Sequence, residues 1–484
     1  MLNWLWALVS AALLVLAFPR FNLVWLAPVA LTPLLIALAR EARPWRRFLL
    51  GWVAGIVYWF GVCYWIQFVL AVHGGLGPVV GWAVFSLFAV TKALHMAVFA
   101  VLAGILMRRW WAVPAVAALW VAIEVTHGSL GFAWLALGDA GIDMGIPMRL
   151  APVAGVYGIS FVFAMMSTAL ALAVLRRPRR ELLWLVGLPL LLLLPALPAA
   201  ERGHDTALLV QPNLSESAEY TTESLDQTER DQIALTLRGA LQEAQQPPEI
   251  VVWPEVPAPL YYYEDARFRN YADSLARATH AWLLLGIVAH TAEGAPLNSA
   301  TLISPEGVAV SRYDKVNLVP FGEYVPWPFG FANKISDQVG DFVPGKRVVV
   351  SEMGAHRIGA FICYESVLPN FVRKFAADGA EALFNISNDG WFGKSSARLQ
   401  HLSMVRMRAA ENRRWILRST NDGITATIDP AGRVRGTLPL YVKATSYTGF
   451  SYISGETLYT RWGDWFPLLC ATVAIAALIA ERVM

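Results

Sequence analysis

Hydrophobic residues in this chain are concentrated in eight long runs, which lie before residue 200 and after residue 463. A helix needs about 20 predominantly apolar residues to cross a lipid bilayer. The runs lie near residues 3–19, 22–39, 48–71, 79–107, 110–125, 150–175, 182–198 and 465–481. The pattern predicts a polytopic α-helical membrane protein with about eight spans. Residues 1–199 would form a seven-span transmembrane domain, and residues 464–484 a C-terminal transmembrane helix.

The stretch between the seventh and eighth runs, residues 200–463, has a different pattern. Short strand-like runs alternate with amphipathic helical patterns, which is typical of layered α/β domains. The strand-like runs lie at 207–213, 249–255, 282–290, 298–304, 308–315, 357–365, 382–389 and 415–420, and the helical patterns at 223–245, 264–279, 366–377 and 396–413. The sequence therefore predicts an inserted α/β domain that is large enough to bury a core of its own.

Composition supports the membrane assignment. Hydrophobic residues make up 56% of the 484 residues and charged residues only 15%, and the mean hydropathy is +0.46. Soluble domains carry about 25% charged residues, so an ordinary soluble protein is excluded. The formal net charge of +3 is too small and too dispersed to indicate nucleic-acid binding.

Arginines in the short loops predict the orientation of the protein in the membrane. Cytoplasmic loops accumulate Lys and Arg, and the loops after the second, fourth and sixth runs are rich in arginine, whereas the alternate loops carry only Arg20 and Arg149. We therefore expect cytoplasmic N- and C-termini and an extracytoplasmic domain at 200–463. The loop arginines are Arg40, Arg43, Arg46, Arg47, Arg108, Arg109, Arg176, Arg177, Arg179 and Arg180.

Three reactive side chains follow strand-like runs of the inserted domain: Glu255, Lys315 and Cys363. The other two cysteines, Cys63 and Cys470, lie inside apolar runs, so Cys363 has no plausible disulfide partner in its own region. A thiol with a pKa of about 8.5 needs a base or a cation to become a nucleophile at neutral pH. Considered singly, the three residues would more often be a solvated Glu, a surface-paired Lys and a core Cys. Their common placement at strand ends favours nucleophilic catalysis.

Four motifs resemble those of the carbon–nitrogen hydrolase, or nitrilase, superfamily. They are WPE at 253–255, YDKVNLVPFGEYVP at 313–326, CYES at 363–366 and NISNDGWFG at 385–393. Together with the membrane runs and the segment 400–432, they resemble the apolipoprotein N-acyltransferase family over essentially the whole chain. The resemblance implies a four-layer αββα sandwich for 200–463. It also implies a bacterial inner membrane, with this domain on the periplasmic side.

The resemblance further implies the reaction and its residues. Cys363 would attack the sn-1 ester of a phospholipid and form an acyl thioester. The amine of a diacylglyceryl-cysteine apolipoprotein would then take the acyl chain as an amide. The residues that match the family's motifs are the catalytic Glu255, Lys315 and Cys363 and the supporting Glu323, Tyr364 and Glu365. The eight histidines are scattered and no HExxH or CxxC motif occurs, so we expect neither a metal nor a cofactor.

Two further groups of residues are candidates for contacts with lipid or for a role within the spans. Aromatic residues in glycine-flanked loops, namely Trp327, Phe329, Trp391 and Phe392, are either buried core or lids that guide acyl chains. Lys92, His95 and Glu124 are costly in hydrocarbon, so they form either a functional site or a structural pair.

Two other functions are compatible with the same residues. A membrane-tethered amidase would use water in place of the amine, although the hydrolysis of small soluble amides does not require seven preceding spans. A transporter or scaffold could instead carry an inactive nitrilase-like domain. The presence of Glu255, Lys315 and Cys363 argues against that second alternative.

Overall fold

The computed structural model describes residues 1–129, 132–199, 202–215, 220–242, 246–255, 258–320, 322–324 and 342–483. The chain divides into two compact units. The first unit comprises Met1–Leu197, Ser395–Ser403 and Trp462–Met484, and the second comprises Pro198–Lys394 and Met404–Arg461.

The α-helices are, in chain order, α1 (Leu2–Ala17), α2 (Thr32–Arg40), α3 (Pro44–Cys63), α4 (Ile66–Phe68), α5 (Gly77–Lys92), α6 (Leu94–Leu106), α7 (Ala112–Glu124), α8 (Thr126–Ser129), α9 (Ala151–Val174), α10 (Thr222–Gln242), α11 (Ala266–Thr279), α12 (Pro369–Ala377), α13 (Ala397–Asn412), α14 (Leu458–Trp462) and α15 (Trp465–Val483). The first unit also contains 3-10 helices at Val24–Val29, Leu137–Gly141, Pro147–Leu150 and Arg179–Leu193, and a π-helical turn at Val69–His73.

Helices that could cross a membrane are fewer than the sequence predicts. Among the described residues, three are long and apolar enough: Gly77–Leu106, Pro147–Val174 and Trp465–Val483. A fourth is added if Pro44–Cys63 and Ile66–His73, which meet at a bend of 66°, count as one span. The prediction of about eight spans is therefore not confirmed, whereas apolar helices in the first unit are.

Breaks within the predicted apolar runs explain most of the difference between the predicted and the observed number of spans. The first predicted run forms α1, which has only 16 residues, and the second is divided between a 3-10 helix containing Pro28 and the nine-residue α2. The seventh run forms no α-helix: Arg179–Leu193 is a 3-10 helix with Pro189 inside it. Proline has no N–H and clashes with the preceding turn, so it interrupts α-helical hydrogen bonding.

A short segment of the inserted region, Ser395–Ser403, belongs to the first unit, which the sequence analysis did not predict. Gln400 explains its position. The side-chain amide of Gln400 donates to the carbonyl oxygens of Pro19 and Val62, at 2.8 and 3.0 Å. Its oxygen accepts from the indole N–H groups of Trp65 and Trp134, at 3.3 and 2.8 Å. The side chain is fully buried, so these four hydrogen bonds satisfy a polar group that would otherwise be costly.

The described residues of the second unit form two six-stranded mixed sheets. The strands are β1 (Asp205–Gln211), β2 (Ile250–Val252), β3 (Trp282–His290), β4 (Pro296–Ile303), β5 (Ala309–Asp314), β6 (Val350–Met353), β7 (His356–Ile362), β8 (Ala382–Ser387), β9 (Ile416–Thr420), β10 (Ala426–Ile428), β11 (Val434–Thr437) and β12 (Ala444–Phe450). Their order is β12-β1-β2-β3-β4-β5 in the first sheet and β11-β10-β9-β8-β7-β6 in the second.

Each sheet has three parallel strands at its centre. In the first sheet β1, β2 and β3 are parallel, and in the second β7, β8 and β9 are parallel. These strands are short runs of buried residues, as is usual where both faces of a sheet are covered. Ser419 of β9 joins the two sheets, because its hydroxyl donates to the carbonyl oxygens of Val210 in β1 and Val252 in β2, at 2.8 and 3.2 Å.

Helices cover the outer face of each sheet. Asp265 caps the N-terminus of α11, because its carboxylate accepts from the N–H groups of Arg267 and Phe268. Its buried face, which includes Phe268 and Leu275, belongs to one hydrophobic cluster with Val251 and other residues of the first sheet. On the second sheet the ring of Phe375 in α12 lies 6.3 Å from that of Phe361 in β7. The predicted α/β sandwich is confirmed.

Candidate active site

Glu255 lies three residues beyond the end of β2 and is buried. The neighbouring strand β3 carries Gly286 at this point. A Cβ added to Gly286 would lie 2.5 Å from the carbonyl oxygen of Pro254 and 2.9 Å from the Cα of Glu255. Only glycine therefore lets β3 pass this close to the backbone of Glu255.

Lys315 directly follows β5 and is almost completely buried, with 1% of its surface exposed. Its ammonium group lies 3.1 Å from Glu255 Oε1 and 2.9 Å from Glu323 Oε1. Burial lowers the pKa of Lys315, but the charges of Glu255 and Glu323 outweigh that effect and raise the pKa above its ordinary value. The lysine is therefore held as a cation between two carboxylates.

Asn298 at the beginning of β4 completes this arrangement. Its side-chain amide donates to Glu255 Oε1 and to Glu323 Oε1, at 2.7 Å in each case. The second oxygen of Glu323 accepts from the N–H of Val319 at 2.7 Å. Because β4 runs antiparallel to β3 and β5, its first residues lie at the same sheet edge as the end of β5. The strand ends thus bring Glu255, Lys315 and Glu323 into one buried hydrogen-bonded cluster.

Cys363 directly follows β7 and begins a short 3-10 helix, Cys363–Val367. Its φ of +49° lies in the left-handed region, which non-glycine residues rarely adopt and which is common at functional sites. The carbonyl oxygen of Cys363 accepts from the hydroxyl of Ser366 at 2.9 Å. Arg408, which is buried and paired with Glu411, donates to the carbonyl oxygen of Ser366 at 3.2 Å. The strained turn is therefore held from two sides.

The thiol of Cys363 is buried, with 7% of the residue exposed, and no disulfide joins any of the three cysteines, all of which the structure describes. Burial raises the pKa of the Cys363 thiol above its ordinary value, and the charge of Glu255 raises it further. The charge of Lys315 and a hydrogen bond with Ser387 act in the opposite direction. The thiol is therefore protonated at neutral pH and needs a base when it reacts.

Glu365 connects the turn at Cys363 with the segment that follows Lys315. One of its carboxylate oxygens accepts from the N–H groups of Val316 and Asn317, at 2.8 and 3.1 Å, and from the hydroxyl of Tyr313 at 2.6 Å. The other oxygen accepts from the N–H of Ile362 at 2.8 Å. Burial raises the pKa of Glu365 to about 7, although these hydrogen bonds oppose the change. Glu365 thereby fixes the position of Cys363 relative to Lys315.

A second buried charge pair supports Glu255 from the other sheet. The guanidinium of Arg418 in β9 lies 2.7 Å from Asp389, and both side chains are fully buried. Asp389 also accepts from the hydroxyl of Ser387 at 3.0 Å. These contacts fix the turn after β8, where the backbone N–H of Asn388 donates to Glu255 Oε2 at 2.9 Å. Both oxygens of Glu255 are thus hydrogen-bonded.

The predicted lid residues are placed only in part. Trp391 and Phe392 are half-buried in a 3-10 helix, Asp389–Phe392, directly after Asn388. Trp327 and Phe329 lie outside the described residues. Tyr364 is buried in the turn next to Cys363. A role for these aromatic residues in guiding acyl chains stays a prediction.

Lys92, His95 and Glu124 lie in the first unit. Lys92 is buried with its ammonium 5.6 Å from the ring centroid of Trp59. His95 stacks on His127 with ring centroids 4.0 Å apart. Glu124 accepts from the N–H of Leu137 at 2.7 Å and, with His95, lines a cavity of about 40 Å³. They belong to a polar cluster of the first unit and not to the cluster around Lys315.

Sequence comparisons assign the chain to a family. A family model described as Carbon-nitrogen hydrolase matches residues 207–451, and one described as Apolipoprotein N-acyltransferase N-terminal domain matches residues 10–169. The chain is 34% identical to the apolipoprotein N-acyltransferase of Geobacter metallireducens, over 99% of this chain and 95% of the relative. The corresponding relative from Azotobacter vinelandii is 35% identical, over 98% and 95%. The one from Pseudomonas putida is 31% identical, over 99% and 96%.

The chain belongs to the apolipoprotein N-acyltransferase family. The resemblance described from the motifs is therefore confirmed, and the protein is an acyltransferase of the nitrilase superfamily. All residues of the cluster around Lys315, together with Cys363, Glu365 and Asp389, lie within the region that the carbon–nitrogen hydrolase model matches.

Sequence reasoning missed several residues of this candidate site. Arg418 gave a signal, because a charged residue within the apolar strand WILRST is seldom buried without a charged partner. Asp389 was part of a quoted motif, yet the motif does not reveal its pairing. Asn298 starts a strand and resembles an ordinary turn residue. The contribution of Asn388 is a backbone N–H, which no side-chain pattern can show.

Proposed function

We propose that this acyltransferase moves a fatty acyl chain from a phospholipid to the N-terminal amine of diacylglyceryl-cysteine in a bacterial apolipoprotein, through a thioester on Cys363. The observation that carries the proposal is the buried cluster of Glu255, Lys315, Glu323 and Asn298 at the strand ends beside the strained turn at Cys363. Its support is the family membership over nearly the whole chain. The catalytic domain of the proposal is residues 200–463.

In the first half-reaction Glu255 acts as the general base. Because burial and the charge of Glu255 keep the thiol protonated, Glu255 removes its proton as the sulfur attacks the ester carbonyl carbon. A bond forms between sulfur and the carbonyl carbon, and the bond from that carbon to the ester oxygen breaks. Glu255 then gives the proton to the departing oxygen, and the lysophospholipid leaves.

Lys315 stabilises the oxyanion of the tetrahedral intermediate, together with the backbone N–H of Tyr364. A fixed cation in a buried site stabilises developing negative charge more strongly than it would in water. Glu323 contributes by holding the ammonium at 2.9 Å, so that little reorganisation is needed when charge develops. Asn298 positions both carboxylates through its two hydrogen bonds.

In the second half-reaction the amine of the apolipoprotein attacks the thioester. A carbon–nitrogen bond forms, the carbon–sulfur bond breaks, and Glu255 accepts the proton that the amine loses. The thiolate of Cys363 leaves and is protonated again, which restores the resting enzyme. Glu255 therefore serves as a base in each half of the reaction.

The test of this function is an assay of the purified protein with phospholipid and a diacylated lipopeptide. We expect a triacylated lipopeptide and one lysophospholipid for each acyl chain transferred. Release of free fatty acid with no acylated peptide would instead show that water takes the acyl chain in place of the amine, as in a membrane-tethered hydrolase. If neither product forms in folded protein, the domain is inactive and the transporter or scaffold alternative is favoured.

The proposal also places the protein in a bacterial inner membrane with cytoplasmic N- and C-termini and residues 200–463 on the periplasmic side. Its support is the concentration of arginines in alternate loops. We expect an alkaline phosphatase joined after Leu318 to be active, because this enzyme needs the oxidising periplasm. A matched fusion after Arg43 should be inactive. The reverse pattern, or activity in a cytoplasmic reporter joined after Leu318, would overturn this topology.

A further inference from the structure

An apolar groove lies on the surface of the first unit, between α7, α15 and the 3-10 helix Arg179–Leu193. This open groove has a volume of about 450 Å³, within the range of small-ligand sites. Indole rings form one side and small residues of α15 form the other. The residues that define it are Trp111, Ala115, Trp184, Val473, Ala477 and Ala480.

One end of this groove is strongly basic. The guanidinium of Arg109 lies 5.9 Å from the ring centroid of Trp111 and forms an ion pair with Glu481, the residue after Ala480. Arg177 donates to the carbonyl oxygen of Arg108 at 2.9 Å, which ties together the two loops that begin the groove. Arginines are thus in contact with the groove wall itself.

Several more arginines at this end have no acidic partner among the described residues. Arg177 is paired with Glu181 at 2.9 Å, and Glu481 pairs with Arg109. Within the part of the chain that the structure describes, no carboxylate lies within ion-pair distance of the five remaining arginines, which are exposed. They are Arg108, Arg176, Arg179, Arg180 and Arg482. The end of the groove therefore carries an excess of positive charge that the described residues do not neutralise.

Contacts between two tryptophans hold the wall of the groove that lies next to the arginines. The rings of Trp110 and Trp184 stack with centroids 5.3 Å apart, and the indole N–H of Trp184 donates to the carbonyl oxygen of Trp110 at 3.1 Å. Tryptophan is enriched at the level of lipid head groups. On the opposite wall, Ala477 and Ala480 leave room for an extended chain to lie against α15.

We propose that this groove binds one anionic phospholipid of the bilayer, with an acyl chain along the alanine face of α15 and the phosphate among the arginines. Arginine matches phosphate geometry with paired N–H donors, and basic pockets between membrane helices bind anionic head groups. The groove residues all belong to the first unit and none belongs to the cluster around Lys315. The inference is therefore independent of the proposed function.

Native mass spectrometry of the full-length protein tests this inference. The probes are phosphatidylglycerol and phosphatidylcholine with ether-linked chains, which contain no acyl ester to transfer. We expect one phosphatidylglycerol to bind more tightly than phosphatidylcholine. The double variant Arg179→Gln, Arg180→Gln should weaken that binding about tenfold or more, because each charge near a head group contributes about a fivefold factor. Ala477→Trp should weaken it as well by filling the groove.

Two matched controls separate a groove from diffuse surface charge. Arg40→Gln with Arg43→Gln removes two exposed arginines at and just after the end of α2, and Ile475→Trp adds an indole to α15 at an exposed position outside the groove. Both should bind phosphatidylglycerol like wild type. Equal binding of the two lipids, unchanged binding in the Arg179 and Arg180 variant, or an equal loss in the control arginine variant would overturn the proposal. A wild-type dimer that is dissociated by Ala477→Trp would also overturn it, because the groove would then hold a second copy of this chain. If Ala477→Trp does not fold, the Arg179 and Arg180 variant decides the result.

Discussion

Cys363→Ala is expected to abolish acyl transfer, with a rate at least about 10⁴-fold below wild type. The physical reason is that alanine has no atom that can form the thioester, while the backbone turn at φ +49° is held by contacts of Ser366, Arg408 and Glu365 that do not involve the thiol. The protein should therefore stay folded. The measurement is the rate of triacylated lipopeptide formation, with the melting temperature as the check on folding.

The chain supplies its own controls for this variant. Cys63 and Cys470 lie in α3 and α15 and are buried, and their replacement by alanine should leave transfer near wild type. Cys363→Ser should retain only feeble activity, because an alkoxide is far harder to generate than a thiolate. Transfer at a normal rate in folded Cys363→Ala would show that another residue is the nucleophile.

Glu255→Gln is expected to lower the rate of transfer by about 10²-fold or more, the usual scale for loss of a general base. Glutamine has nearly the same volume but cannot take the thiol proton. It also has a single oxygen, whereas the two oxygens of Glu255 accept from Lys315 and Asn298 on one side and from the N–H of Asn388 on the other. In each orientation of the glutamine amide, one of these two sets of donors therefore faces an NH2 group and has no acceptor.

Two comparisons make the Glu255 result interpretable. Glu306→Gln makes the same chemical change at an exposed turn between β4 and β5 and should leave the rate unchanged. The loss in Glu255→Gln should appear in each half-reaction, because the same carboxylate accepts a proton in both. A rate near wild type in folded Glu255→Gln would exclude this carboxylate as the base.

The α/β domain could be predicted from sequence because its signals are local. The helical patterns at 264–279 and 396–413 correspond to α11 and α13 within two residues at each end. The strand ends that carry Glu255, Lys315 and Cys363 could be located because each follows a short apolar run. Glu255 and Lys315 lie at the same edge because β2 and β5 run in the same direction in the first sheet, and Cys363 follows β7, one of the parallel strands of the second sheet.

Other features depend on interactions that a single sequence does not reveal. Asn298 contacts residues 25 and 43 positions away, and the pair of Arg418 with Asp389 joins β9 to the turn after the neighbouring parallel strand β8. The hydropathy of an apolar run also does not show where its helix is bent or broken. Residues 182–198 have the composition of a span, yet Pro189 lies inside the 3-10 helix that forms there.

The contacts around Lys315 explain how its ammonium and two carboxylates can be buried together. Removing three charged groups from water is costly unless each is paired and hydrogen-bonded. Here the two carboxylates share one ammonium and one asparagine amide, and each receives a backbone N–H. The cluster is therefore fixed before substrate arrives, which is what electrostatic stabilisation of an oxyanion requires.

The central claim is that Cys363 carries the acyl chain, and mass spectrometry of the wild-type enzyme incubated with phospholipid and no acceptor tests it most directly. We expect the peptide containing Cys363 to gain the mass of one fatty acyl chain, neutral hydroxylamine to remove it, and added lipopeptide to discharge it. An acyl group on a different residue would contradict the claim. So would an unmodified Cys363 in enzyme that transfers the chain normally once acceptor is added.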